Sequence, residues 1–195
     1  MAMSLAGLSN AEESTRVFIE LDLDEPPKSS GSLVVENEET LQFSVGYGRR
    51  GVLDEGARFK GGYSLLGRFR VNAIFAADQF EMTPKLVESS GKSREFLSKE
   101  LFANMSSIDF DGDGKGGEYG AGFIGLQPLT ETEQPFSFEP YQGVFRWYSY
   151  AIHGTQNEAR IGKKITGGCI NVGAADLQQL LAKVKLGDIV EIQIR

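Results

Sequence analysis

The chain has 195 residues, with 41% hydrophobic and 24% charged side chains, a composition typical of globular proteins and not of disordered or fibrous ones. A single histidine and a single cysteine exclude an internal disulfide, a multi-cysteine zinc site and a paired-histidine metal centre. The net charge of −7 belongs to the first 45 residues, because the other 150 balance 18 acids against 18 bases, which excludes the clustered basic surface of a nucleic-acid-binding protein.

Short apolar runs separated by glycine predict strands joined by tight turns in the first part of the chain. Alternating hydrophobic residues predict strands over 15–23, 32–36 and 40–45, arranged as a meander. A loop with six glycines follows over 46–62, and the strand pattern resumes over 68–75.

The middle of the chain, from about 78 to 140, interrupts this rhythm and is predicted to be an insertion. Ser93 is a candidate cap for a helix that runs to about residue 104, because apolar residues recur there at helical spacing. A short strand is predicted over 122–126, and the proline-rich residues 128–140 are expected to be irregular.

The last part of the chain carries the clearest periodicity. The aromatic run 145–152 predicts a strand, and residues 174–184 predict a helix with one buried stripe. A final alternating strand is expected over 189–194. We therefore predict a mainly β single domain over 1–195, with two helices and the inserted segment at about 78–140.

The histidine and the cysteine of this chain lie sixteen residues apart, as His153-Gly154 and Gly168-Cys169. Histidine is the usual base for a cysteine nucleophile, and glycine beside a thiol lets backbone N–H groups approach a carbonyl oxygen. A buried structural cysteine with an unrelated structural histidine is the alternative interpretation.

The residues around this pair form a recognisable pattern. Residues 150–155 read Tyr-Ala-Ile-His-Gly-Thr, residues 161–162 read Ile-Gly, and residues 166–171 read Thr-Gly-Gly-Cys-Ile-Asn. This pattern closely resembles the catalytic signature of the L,D-transpeptidase (YkuD-type) family, in which a histidine precedes a Ser/Thr-His-Gly-Cys segment by about this distance. The resemblance implies the β-sandwich or barrel of that family.

The resemblance extends to other segments. Residues 62–71 are similar to the Pro-Thr-Gly-x-Phe strand start of the family, without the proline, and residues 187–192 are similar to its last strand. The likeness is strong over 141–195, looser over 15–75 and absent over most of 78–118.

The resemblance implies a role for each matching residue. Cys169 would be the acylated nucleophile and His153 its base, with the carbonyl of Gly154 orienting the imidazole. The N–H groups of Gly168 and Cys169 would hold the oxyanion. The positions implied for substrate binding are Tyr150, Thr166 and Asn171.

The implied reaction is attack on the peptide bond before the terminal D-alanine of a peptidoglycan stem. The acyl group would then pass to the side-chain amine of a neighbouring stem or to water, which gives a transpeptidase or a carboxypeptidase. No cofactor is required. The competing hypothesis is a structural or interaction protein with this fold, such as a phage-tail or secretion-particle component with weak or no activity.

One departure from the family pattern is Gly167, which stands where a histidine usually precedes Gly-Cys. Residues 1–10 also lack the positive region and the ~7–15 apolar residues of a signal peptide. Both features favour delivery by a phage or a secretion apparatus, with the cell envelope or periplasm as the site of action. No membrane span is expected, since no apolar run approaches ~20 residues. No nucleic-acid partner is expected either, because the charge balance offers no basic cluster.

A glycine- and aspartate-rich loop is a candidate metal site. Asp109, Asp111 and Asp113, followed by Gly114, match the first half of a calcium-binding loop. The twelfth position is Gly120 and not the usual glutamate. A structural calcium clip is the hypothesis, and an acidic surface turn is the alternative.

Overall fold

The structure, a computed structural model of the chain, describes residues 15–103, 105, 108–109 and 117–195. Its strands are β1 Thr15–Leu21, β2 Ser30–Val35, β3 Glu38–Gly48, β4 Gly51–Leu53, β5 Tyr63–Leu65, β6 Gly67–Ala76, β7 Gln79–Met82, β8 Gly122–Pro128, β9 Phe138–Tyr141, β10 Val144–Trp147, β11 Tyr150–His153, β12 Lys164–Thr166, β13 Ile170–Val172 and β14 Ile189–Ile194. Its helices are α1 Pro84–Ser89, α2 Arg94–Phe96, which continues as a π-helical turn over Leu97–Phe102, and α3 Ala174–Lys183. None of the helices in these ranges has both the length and the apolar character to cross a membrane.

Eight strands close into a barrel in the order β3, β13, β11, β8, β6, β14, β1 and β2, because β2 also pairs with β3. The neighbours β1–β14 and β11–β13 are parallel, and the other barrel neighbours are antiparallel. The prediction of a mainly β barrel-type fold is confirmed. The meander predicted for the first three strands is also confirmed, since β1, β2 and β3 pair in that order.

Two buried clusters lie on opposite faces of this barrel wall. The barrel cluster fills the interior with alternating residues such as Val17, Ile19, Leu33 and Ile152, and with Leu177 and Leu180 of α3. The cover cluster lies on the outer face of β6, β8 and β11 and consists of Ala73, Phe75, Met82, Leu97, Leu101, Ile108, Phe123 and Ala151.

The predicted insertion contributes to both layers. Its β7, α1, α2 and β9 lie with the cover cluster, whereas β8 is a barrel strand between β6 and β11. Ser93 caps α2 as predicted, because its hydroxyl accepts the Phe96 N–H at 3.1 Å. The short α1 was not predicted.

The aromatic run predicted as one strand is two strands in separate sheets, which corrects that prediction. β10 pairs with β9 over the cover cluster, while β11 lies in the barrel wall. The chain must cross from the cover to the barrel between Trp147 and Tyr150, so continuous pairing is interrupted there.

Candidate active site

The site is organised by a row of paired residues across the outer face of the barrel. Phe75 pairs with Phe123, Phe123 with His153, His153 with Asn171, and Asn171 with Gly46. Paired residues of neighbouring strands project on the same side of a sheet. His153 therefore lies between an aromatic half of the row and a polar half.

Cys169 lies beside this row. Ile170 pairs with Ile152, so continuing the register by one residue places Cys169 beside Ala151. The main chain of Ala151 favours the thiolate form and so lowers the pKa of Cys169, against the larger effect of burial. Since residues two apart in a strand share a face, the thiol and the imidazole open on the same side of the barrel. Both line one cavity of about 900 Å³.

The imidazole of His153 is fixed by its neighbour. Its Nδ1 lies 2.6 Å from the carbonyl oxygen of Gly154. A carbonyl only accepts, so Nδ1 carries the proton and Nε2 is left with the free lone pair. Burial, helped by the charge of Arg160 and opposed by the hydrogen bond to Gly154, lowers the pKa of His153 to about 4. At neutral pH the ring is therefore an uncharged base.

Burial acts on the thiol in the opposite sense. It raises the pKa of Cys169 to about 11, although hydrogen bonds from the main chain of Ala151 and of Cys169 itself lower it and Glu118 raises it. The resting pair is thus a neutral thiol beside a neutral imidazole. Proton transfer must accompany attack on a substrate.

The loop before the thiol is held by Thr166. Its hydroxyl donates to the carbonyl of Cys169 at 2.6 Å and accepts the N–H of Gly168 at 3.1 Å. The hydroxyl of this predicted substrate-binding residue is therefore bonded to the loop itself. Donation by Gly168 to an oxyanion would require its bond to Thr166 to be exchanged.

Glycine is required at two positions of the site. A Cβ on Gly154 would lie 2.8 Å from both the side chain of Leu177 and the carbonyl of Tyr119. Gly168 has φ +136° and packs against Phe59. Side chains at either position would push apart the layers that hold the pair. Gly167, in contrast, faces open space in the cavity.

The other two residues predicted to bind substrate are buried and do not line the cavity. Tyr150 is fully buried in the barrel cluster, where its hydroxyl donates to Leu65 at 3.2 Å. Its prediction as a substrate contact is corrected, because it lies three residues before His153 and so on the opposite face of β11. Asn171 is 1% exposed beneath the site, and its Oδ1 is buried without a hydrogen-bond partner in the described structure.

Tyr119 is a site residue that the sequence did not reveal. Its ring stacks on the imidazole of His153 with centroids 4.0 Å apart and an interplanar angle of 23°. Burial raises its pKa, so the hydroxyl stays protonated. It follows the glycine- and aspartate-rich loop, where no periodicity indicates a contact with a strand 34 residues later.

Charged and aromatic side chains line the rest of the cavity. Arg49 and Arg160 contribute positive charge, Glu118 contributes negative charge, and Trp147 and Tyr148 contribute aromatic surface. Burial and the nearby Cys169 raise the pKa of Tyr148. The cavity is thus suited to a ligand with both ionic and apolar parts.

The calcium hypothesis falls largely outside the described residues, since Asp111 and Asp113 are not among them. The backbone N–H of Asp109 donates to Gly120 at 2.8 Å. In the part of the chain that is described, no three acidic, histidine or cysteine side chains cluster as a metal site.

The family profile of the L,D-transpeptidase (YkuD) catalytic domain matches residues 19–192. The chain belongs to this family. The match includes part or all of each of the eight barrel strands, and it includes both His153 and Cys169. No curated protein matches the chain in sequence.

Solved structures of L,D-transpeptidases are similar to this fold at low sequence identity. An L,D-transpeptidase from Mycobacterium smegmatis is 14% identical with a TM-score of 0.42, over 92% of this chain and 59% of that one. The E. faecium catalytic domain is 14% identical with a TM-score of 0.40, over 94% of this chain and 99% of that one. The chain thus spans about three-fifths of the mycobacterial protein.

Proposed function

We propose that this protein is a cysteine-dependent acyltransferase or peptidase that acts on peptidoglycan stem peptides. The observation that carries the proposal is the oriented neutral imidazole of His153, held by Gly154 on the strand next to Cys169. Membership of the L,D-transpeptidase family supports the substrate class. The proposed site of action is the cell envelope.

In the first half of the reaction, the sulfur of Cys169 attacks the carbonyl carbon that precedes the terminal D-alanine. Nε2 of His153 takes the thiol proton as the S–C bond forms, and the carbonyl becomes an oxyanion near the N–H of Cys169. Collapse breaks the C–N bond. The imidazolium gives its proton to the leaving amine, which releases D-alanine and leaves a thioester.

In the second half, an acceptor amine or a water molecule attacks the thioester. Nε2 of His153 takes one proton from the acceptor, and the sulfur of Cys169 leaves as a thiolate that recovers this proton. An amine acceptor gives a new peptide bond, whereas water gives a free carboxylate. The same two residues therefore support transpeptidation and hydrolysis.

Acylation of Cys169 by a β-lactam tests the proposal, because a protonated thiol needs His153 as a base in this step. A β-lactam of the carbapenem type acylates a thiol in a step that His153 can assist, so the purified protein should gain the mass of one adduct on Cys169 at pH 7. Replacing His153 by alanine should slow this acylation by about 10²- to 10⁴-fold, the usual contribution of a general base. Cys169→Ser should form no stable adduct under these conditions.

A purified muropeptide with a free D-alanine end then tests the natural reaction. Mass spectrometry of the products should show loss of D-alanine, and added acceptor stem should yield a cross-linked dimer if transfer competes with water. A protein that neither forms the adduct nor releases D-alanine would instead be the non-catalytic particle component, and the proposal would be rejected.

A further inference from the structure

Arg160 is a cavity residue to which the proposed reaction has given no role. Its side chain lines the same cavity as His153 and Cys169. Its Nε is buried without a hydrogen-bond partner, and it forms no ion pair with a carboxylate of the described residues. A buried guanidinium donor without a partner is costly, so this arrangement indicates a ligand that supplies the acceptor.

The main chain around Arg160 is fixed before any ligand binds. Arg160 ends the 3₁₀ turn Glu158–Arg160, in which its N–H donates to Asn157 at 2.9 Å. The carboxylate of Glu158 accepts the N–H of Ala174 at the start of α3, at 2.8 Å. Gly162 donates to Val45 of β3 at 3.1 Å. The turn is therefore tied to both α3 and the barrel.

The position of Arg160 relative to His153 suggests what it binds. The carbonyl of Arg160 lies against Gly46, at the polar end of the row that contains His153 and Asn171. Tyr119 stacks on His153 from the aromatic end. Tyr119 thus covers one side of the imidazole, while the Arg160 side chain lines the same cavity and its charge acts on that imidazole. A substrate bound beside His153 in this cavity is therefore exposed to the charge of Arg160.

His153 must give its proton to the departing amine, so the departing residue lies beside the imidazole. When that residue is the last of a peptide, its carboxylate is one carbon away from the departing nitrogen. We propose that Arg160 is a specificity-determining residue that binds the free α-carboxylate of the leaving residue. Binding of this carboxylate restricts the enzyme to peptides with a free carboxyl end. The inference rests on the proposed function and deepens it.

Guanidinium–carboxylate pairs are charge-assisted and often bidentate, which makes them selective against an uncharged amide. The test compares two synthetic stem tetrapeptides that differ only at the end, one with a free D-alanine carboxylate and one with D-alaninamide. Wild type should release D-alanine with a kcat/KM about 10- to 100-fold above that for D-alaninamide. Arg160→Met should lose this preference, so that its kcat/KM becomes equal for the two peptides.

Lys164→Met is the matched control, because Lys164 is exposed and lies four residues from Arg160, and its replacement removes the same charge. It should keep the preference for the free acid. Arg160→Lys should keep part of the preference for the free acid. It provides a second test of the inference if circular dichroism shows that Arg160→Met folds poorly. Loss of the preference in Arg49→Met but not in Arg160→Met would assign the carboxylate to Arg49 and overturn the inference.

The remaining outcomes separate this inference from the proposed function. Equal turnover of both peptides by wild type would reject the role of Arg160 while leaving the cysteine chemistry intact. Release from neither peptide, under conditions where the control carbapenem reaction is also absent, would reject both.

Discussion

The two buried clusters of this molecule differ in their side chains and in their roles. The barrel cluster is mainly aliphatic and is contributed by all eight barrel strands together with α3. The cover cluster is flanked by aromatic rings: Phe75 and Phe123 of the cluster contact each other and Trp147, which packs against the cluster, at centroid distances of 5.7 to 6.0 Å. Cys169 packs against both clusters.

This difference separates where the site residues are from how they behave. Strand pairing within the barrel fixes the positions of His153 and Cys169. The cover removes water from the outer face, and that burial moves the pKa of each in the direction of its neutral form. Changes to the barrel interior should therefore cost stability, and changes to the cover should also alter the chemistry.

A matched pair of leucines tests this separation. Leu33 in the barrel cluster and Leu101 in the cover cluster are 1% and 3% exposed. Either leucine-to-alanine change should lower the free energy of unfolding by about 2–5 kcal/mol, measured in urea. Only Leu101→Ala should change the acylation rate at pH 7, because Leu101 also lines the cavity. Equal effects on acylation would show that the two clusters do not differ in this way.

The pH dependence of stability should reveal the cost of burying His153. In the unfolded chain the imidazole titrates near its ordinary value of 6.5, whereas the folded pKa is about 4. As pH falls below 6.5 the unfolded state gains the proton first, so stability present above 6.5 is lost progressively until about pH 4. The loss amounts to about 3 kcal/mol.

Urea midpoints measured across this range for wild type and for a His153→Gln variant test the assignment. The acid loss should be smaller in the variant by about the stated amount. Cys169→Ala should retain it, and should instead lose part of the alkaline decline, because burial raises the thiol pKa from 9.0 to about 11. An unchanged acid limb in His153→Gln would assign that limb to other groups.

The sequence predicted what depends on local periodicity. The spacing of Leu177 and Leu180 predicted α3, and alternation predicted β14, because both patterns arise within one element. The same alternation places Tyr150 and His153, which are three residues apart on β11, on opposite faces, so Tyr150 faces the interior.

What the sequence could not predict depends on pairing between distant segments. The row from Phe75 to Gly46 joins five strands whose order is not encoded in any one of them. Tyr119 and Arg160 approach His153 from opposite ends of that row, through loops without periodicity. A motif can therefore name the reacting pair but not the residues that set its environment.

The stacking of Tyr119 on His153 is the most direct contact between the cover side and the reacting pair. Tyr119→Ala should reduce acylation by about 2- to 10-fold, since an aromatic pair contributes about 0.5–1.5 kcal/mol. The acid side of the pH profile of acylation should also move to higher pH in this variant, because the more exposed imidazole regains part of its ordinary pKa. Tyr119→Phe should preserve both properties, as stacking does not need the hydroxyl. If Tyr119→Phe slows acylation as much as Tyr119→Ala does, the hydroxyl of Tyr119 and not its ring is responsible.

The smallest expected effect concerns Glu118, which lies on the cover side of the cavity. Its charge raises the pKa of Cys169, and because the carboxylate is exposed the effect should be weak and screened by salt. Glu118→Gln should therefore speed alkylation of the thiol by iodoacetamide at pH 8 by about two- to five-fold, and by less in ~1 M salt. Glu133→Gln removes the same charge from an exposed loop outside the cavity and should leave the rate unchanged. A slower reaction of Glu118→Gln would mean that the carboxylate assists thiol ionisation, which is the reverse of a cover that keeps the resting pair neutral.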